Sequence, residues 1–369
     1  MKTLLFHSIE YILLSAALSL ILIFPITSLL YKLKLVRNGE YDDSYKQIPT
    51  RRQKEGIPIM AGIIMVISIV SITLLFNYSR GYTLLPLFVF LLCAIIGGID
   101  DIMNIFGRKR TVRPLRRTIL LALKHVNIFK RIYFALLIPW SIYKSIFYSF
   151  SSRLGTGLHP HEKVLVQIIA GGIISYWLYF KVHWTLLWIP LFGYINIGFW
   201  LIPLTIFLVV LYANAVNITD GVDGLSAGLL LNSFSVFLAL SIFYNYTQYS
   251  YFISTVIGTL LVYLYFNIKP ARFEMGDIGS LSLGALLATI SILMHREFLL
   301  FVTGLPYLVE VGSVIIQKLG KKLFNIQIFK IAPIHHHLEK IGWSEERIVM
   351  RFWVISFFLA IISIFIAFI

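Results

Sequence analysis

The sequence predicts an all-α polytopic membrane protein with about ten transmembrane helices. Hydrophobic residues make up 58% of the 369-residue chain and charged residues 13%, about half the charge of a soluble domain. Mean hydropathy is +0.84. Apolar runs of about 20 residues, the length that crosses a bilayer as helix, recur along the whole chain. Backbone groups in lipid must pair internally, which leaves helices or closed barrels. These runs are too long and too evenly apolar for barrel strands.

The first run, 8–31, exceeds a signal-peptide core and is followed by Lys32 and Lys34, so it reads as a retained span. Further spans are expected at 57–76, 82–99, 164–181, 199–214, 225–244, 251–268, 280–295, 298–317 and 348–368. Segment 108–162 is basic in its first half and contains the apolar stretch Ile132–Tyr143, interrupted by Pro139 and closed by Lys144. That stretch is short for a crossing. The expectation is an amphipathic helix over 114–150 lying in the cytoplasmic interface, with a re-entrant hairpin as the alternative. Segment 183–198 is aromatic and punctuated, and fits a short interfacial hairpin. No internal repeat or soluble domain is visible, so 1–369 reads as one integral membrane domain carrying a basic interfacial insertion at 108–162. Cys93 is alone within a span, which excludes disulfides and thiolate metal sites.

Lys and Arg set the orientation. Of 32, 27 fall in the loops 32–56, 100–163, 269–279 and 318–347. The positive-inside rule then puts these loops in the cytoplasm and both termini outside. The net charge of +15 reflects this bias toward anionic lipid rather than nucleic acid.

Seven aspartates occur, and five of them sit at the ends of apolar runs, all on the predicted cytoplasmic face: Asp100, Asp101, Asp220, Asp223 and Asp277. A carboxylate beside hydrocarbon is costly and marks function. Five on one face suggest a site for a divalent metal and a phosphate-bearing substrate. Asp100 and Asp101 are adjacent, so their side chains diverge by about 100° on a helix. One can face a metal or acceptor while the other orients a base or a helix end. Asn214, Asn217, Asp220 and Asp223 recur every third residue and line one side of a helix end or turn. Their amides can read a base or sugar and their carboxylates can hold Mg²⁺. Asp277, between Gly276 and Gly279, can cap a helix and bind metal. His335, His336 and His337 cannot all face one point; one or two can contact phosphate while another packs. Without Cys and without His-x₃-His spacing, a structural zinc site is not expected. Hard oxygen ligands imply Mg²⁺ or Mn²⁺.

These motifs together resemble the phospho-N-acetylmuramoyl-pentapeptide transferase family, within the polyprenyl-phosphate N-acetylhexosamine-1-phosphate transferases of glycosyltransferase family 4. The resemblance covers about 50–357. Its most specific part is Ala-Pro-Ile-His-His-His-Leu-Glu-Lys-Ile-Gly-Trp-Ser-Glu-Glu-Arg-Ile-Val-Met-Arg-Phe-Trp (332–353), which separates this family from relatives that use UDP-N-acetylglucosamine. Segments 214–225 and 275–284 are shared more widely.

The resemblance implies a ten-helix fold in the bacterial inner membrane. It implies transfer of phospho-N-acetylmuramoyl-pentapeptide from its UDP carrier to undecaprenyl phosphate, releasing UMP, with Mg²⁺. It assigns Asp100 and Asp101 to the lipid-phosphate acceptor and catalysis, and Asp277 to metal and catalysis. Asn217, Asp220 and Asp223 match the nucleotide and metal region, and His335 a required histidine flanked by His336 and His337. Lys54 and Lys163 match basic residues of the cleft, and Asn267 a nucleoside-side residue; Asn214 joins the substrate-binding set. Anionic lipid is a further expected partner; the family is often dimeric, which leaves a homodimer open, and no residue here indicates the oligomeric state.

The chain also departs from the pattern. Ile57 and Ile59 stand where the family has threonines, Arg51 where it has histidine and Asn104 where it has lysine. Glu274 replaces an aromatic residue, with Phe273 beside it. The stretch between Asp101 and Lys163 is about 45 residues longer than usual. Other readings stay open here: a transferase of another UDP-N-acetylhexosamine, an inactive relative, and a non-enzymatic lipid transporter. A transporter would place its charges nearer mid-membrane.

Overall fold

The computed structural model describes residues 2–37, 55–107, 110–148, 154–155 and 157–369. Arg51 and Lys54 lie outside the described residues. The described chain is helical almost throughout. Eight helices are long and apolar enough to cross a membrane, and a ninth candidate is the pair Glu297–Thr303 and Leu305–Phe324, bent by 75°. Gly62–Phe76 is a shorter apolar helix. Each of the ten expected runs therefore has its helix or helix pair.

In chain order the helices are α1 (Lys2–Lys32), α2 (Gly62–Phe76), α3 (Leu84–Phe106), α4 (Leu115–Lys124), α5 (Ile128–Leu136), α6 (Ile138–Tyr148), α7 (Pro160–Tyr176) and α8 (Leu201–Thr219). There follow α9 (Leu225–Phe243), α10 (Thr247–Asn267), α11 (Gly276–Leu293), α12 (Glu297–Thr303), α13 (Leu305–Leu319), α14 (Ile334–Lys340) and α15 (Glu345–Ala367). Two antiparallel strand pairs complete the described fold. β1 (Arg110–Thr111) with β2 (Leu154–Gly155) clips the base of the insertion, and β3 (Leu186–Ile189) with β4 (Gly193–Asn196) forms the aromatic hairpin.

The centre of the bundle is α11, 89% buried over its apolar window, against 17% for α1 and 28% for α15. It packs chiefly on α3 and α8. Lipid gives helices no hydrophobic reason to associate, so close packing of small residues does the work. Gly97 of α3 shows this: a Cβ there would run into the Asp277 backbone carbonyl.

Two boundaries differ from the sequence expectation. The third span continues to Phe106, so Asp100 and Asp101 lie two turns inside the helix, both buried. Contacts with α11 and α7 extend that helix past its apolar run. The interfacial helix expected over 114–150 is three helices, broken at His125–Asn127 and Leu137. Asn127 restarts it by accepting the Phe129 and Lys130 N–H groups.

Candidate active site

The site begins with α3. Asp100 and Asp101 diverge as adjacent helical residues must. Asp101 turns toward α11, where its Oδ1 accepts the Asp277 N–H at 3.0 Å and its Oδ2 the Ile278 N–H at 3.1 Å. It thus satisfies the orphan donors at that helix start from a neighbouring helix. Gly276 makes the approach, at φ +71° and with Asp101 Oδ2 where a Cβ would stand.

Asp100 turns the other way. Its Oδ1 accepts the Leu158 N–H, and its Oδ2 accepts from Asn104 Nδ2 at 3.0 Å. Asn104, in the place of a family lysine, is its neighbour one turn on. Lys163, in the first turn of α7, places Nζ 2.5 Å from Asp100 Oδ2 and 2.6 Å from Asp277 Oδ2. Asn217 Nδ2 donates to Asp277 Oδ1 at 2.7 Å and to Ser280 Oγ at 2.9 Å. Four helices, α3, α7, α8 and α11, thereby meet at one ammonium and two carboxylates. Asp100 is 1% exposed, while Lys163 and Asp277 are 19% and 21% exposed, so water reaches the cluster from the Lys163 side.

The remaining residues of the 214–224 motif spread out from there. Asn214 donates to Gln167 Oε1 at 2.6 Å. Asp220 is the C-cap of α8. Asp223 Oδ2 accepts the Ala271 N–H at 3.1 Å. Asn267 accepts the Gly224 N–H at 2.9 Å and donates to the Phe273 carbonyl at 3.0 Å. Asp223 and Asn267 therefore tie the 220–224 turn to the 267–273 loop. Glu274 pairs with Arg37 at 2.7 Å, and Phe273 is buried against Tyr263 and Phe266.

The histidines form a separate group on α13 and α14, and they divide their tasks. His335 Nδ1 lies 2.9 Å from Glu310 Oε2, with both side chains fully buried. His335 Nε2 faces His336 Nε2 at 3.2 Å, and His336 Nδ1 lies 2.6 Å from Glu339 Oε2. His337 Nδ1 accepts the Lys330 N–H at 3.2 Å.

A family model described as glycosyl transferase family 4 matches residues 155–295, the stretch that carries Lys163, Asn214, Asn217 and Asp277. A phospho-N-acetylmuramoyl-pentapeptide-transferase of Latilactobacillus sakei is 34% identical over 309 residues, 82% of each chain. One from a Geobacillus species is 33% identical over 359 residues, 95% of this chain and 97% of its own. The chain belongs to the phospho-N-acetylmuramoyl-pentapeptide transferase family. It is an enzyme, a membrane-embedded transferase of peptidoglycan synthesis.

Two partners of the predicted residues escaped the sequence reading. Gln167, fully buried, holds Asn214; its signal is the four-residue spacing from Lys163 on one helix face. Glu310 is an acid inside an apolar helix, and the same cost that flagged the aspartates flags it.

Proposed function

We propose that the chain transfers phospho-N-acetylmuramoyl-pentapeptide from its UDP carrier to undecaprenyl phosphate at the cytoplasmic leaflet. The observation that carries this reading is the Lys163 ammonium set between Asp100 and Asp277. Two polyanions must meet for the reaction, and a lysine shared between two carboxylates can exchange one of them for phosphate oxygen.

In this reading an acceptor phosphate oxygen attacks the sugar-linked phosphorus. The bond from that phosphorus to the bridging oxygen breaks, and UMP leaves with the electron pair. Lys163 steadies the charge that builds between the two phosphates. Asp101 is committed to the start of α11, so Asp100 is the acid that faces the acceptor and takes its proton. Asn217 orients Asp277 by holding Oδ1. The 220–224 turn, held by Asp223 and Asn267, shapes the nucleotide side. The histidine group supports the phosphate side from behind, with His335 and His336 held between Glu310 and Glu339.

Among the described residues no three His, Cys, Asp or Glu side chains gather as a complete metal cage. Mg²⁺ needs less, because it binds through one or two carboxylates together with substrate phosphates. The donor set fits that mode: Asp277 and Asp100 present hard carboxylate oxygens that already share a cation in Lys163. Asp277, Asn217 and Asp220 are the residues we assign to hold it. When bound it neutralises the pyrophosphate and stabilises the leaving nucleotide.

The test uses the full chain reconstituted with undecaprenyl phosphate and radiolabelled donors. Label from UDP-N-acetylmuramoyl-pentapeptide should enter extractable lipid, and label from UDP-N-acetylglucosamine should not. The reverse pattern, or no transfer from either donor, would remove the reading.

A further inference from the structure

Between Asp101 and Glu162 the sequence contains no Asp or Glu and eleven Lys or Arg. The three helices α4–α6 built from this stretch have almost no interior. Their buried residues are Thr118, Ala122 and Ser141, and Ser141 Oγ donates to Thr118 Oγ1 at 3.2 Å. The large apolar side chains point outward instead: Leu123 is 61% exposed, Phe129 79%, Leu136 76% and Ile146 62%. A small bundle with polar contacts inside and apolar residues outside is the inverse of a water-soluble one. A bilayer surface covers such a face, and the helices are too short to cross.

A cavity of about 160 Å³ lies where this bundle meets α7, lined by Arg113, Trp140, Lys144, His159, His161 and Glu162, with Val112. Arg113 and Lys144 bring two basic groups to it, against one carboxylate, Glu162. Burial, and then the Arg113 guanidinium, lower the Lys144 ammonium below its usual range, and Glu162 offsets this only in part; a further anion between the two basic groups relieves the rest. The carboxylate in the lining is engaged, since Glu162 Oε2 accepts the His159 N–H at 2.9 Å. The positive end of the α7 dipole opens on the same space. The walls are fixed: Tyr143 donates to the His161 carbonyl at 3.0 Å, and the Trp140 ring lies edge-on to His161, 5.3 Å between centroids.

We propose that this cavity holds the phosphate of an anionic membrane lipid, with the apolar faces of α4–α6 seated in the leaflet beside it. Charge complementarity selects the occupant. The helices α4–α6 carry no acid, so the cavity's basic groups outnumber its single carboxylate and face the phosphodiester of an anionic lipid, while the exposed leucines and phenylalanines take the acyl region. The site is distinct from the Asp100–Asp277 cluster but shares the first turn of α7 with Lys163.

The test places the full chain in nanodiscs containing brominated phosphatidylglycerol or, at equal mole fraction, brominated phosphatidylcholine. Quenching of Trp140 is read as the difference between wild type and Trp140→Phe. The anionic lipid should quench about twofold more strongly. R113Q/K144Q should abolish that preference, and R113K/K144R, which keeps both charges, should retain it. Equal quenching by the two lipids in wild type would overturn the proposal. So would a preference that survives R113Q/K144Q. The readout needs no turnover, so it stands or falls separately from the proposed reaction.

Discussion

Asp101 closes the helix that carries Asp277, accepting the Asp277 N–H at 3.0 Å. One acid of the adjacent pair thus acts on the fold while the other faces Lys163. Asp101→Ala would leave two buried N–H groups without an acceptor. A stability loss of about 2 kcal/mol is expected, together with lost turnover. Thermal denaturation in detergent checks it; an unshifted midpoint would mean that Asp101 is not a cap.

Lys163 bridges two carboxylates and offsets the repulsion between them. Lys163→Met should cut transfer by about 10²-fold or more. It should also make the protein depend on a divalent cation for stability, because the ammonium's position is left to metal. The melting midpoint of the variant should rise with added magnesium more than that of wild type. An equal response in both proteins would argue against charge compensation by Lys163.

Glu310, His335, His336 and Glu339 form a chain of three hydrogen bonds. Glu310→Gln keeps an acceptor for His335 but replaces the buried carboxylate with an amide. Turnover should fall about 10-fold or more. Glu310→Leu should in addition cost about 2 kcal/mol of stability, through an unpaired buried donor. A Gln variant with wild-type turnover would refute the positioning role.

Gly97 permits α3 to touch α11 at Asp277. Gly97→Ala forces the helices apart at the point where the acids meet, at a cost of about 1–3 kcal/mol. Activity should fall with stability, although the substitution adds no charge and removes no hydrogen bond. Wild-type turnover in this variant would show that the site tolerates displacement.

Much of this was legible beforehand because lipid makes the signals loud. Long apolar runs located each helix or helix pair apolar enough to cross a membrane, and costly acids at their ends marked Asp100 and Asp277, which meet at Lys163, since neither is tolerated in a membrane without reason. The divergence of Asp100 and Asp101 followed from the helical repeat alone. What stayed hidden was long-range pairing. Nothing local tells that Asp101 caps a helix 176 residues away, or that Glu310 belongs to His335. The end of the third helix was also misplaced, because hydrophobicity marks where lipid stops and not where packing stops. The breaks at His125–Asn127 and Leu137 were missed because an amphipathic pattern persists across them.

The helix bearing Asp277 is wrapped by protein on nearly every side. A rod enclosed in this way cannot slide or tilt without disturbing all its neighbours at once. Accommodation of a bulky donor consequently falls to segments other than α11, while Asp277 holds still as a fixed anvil.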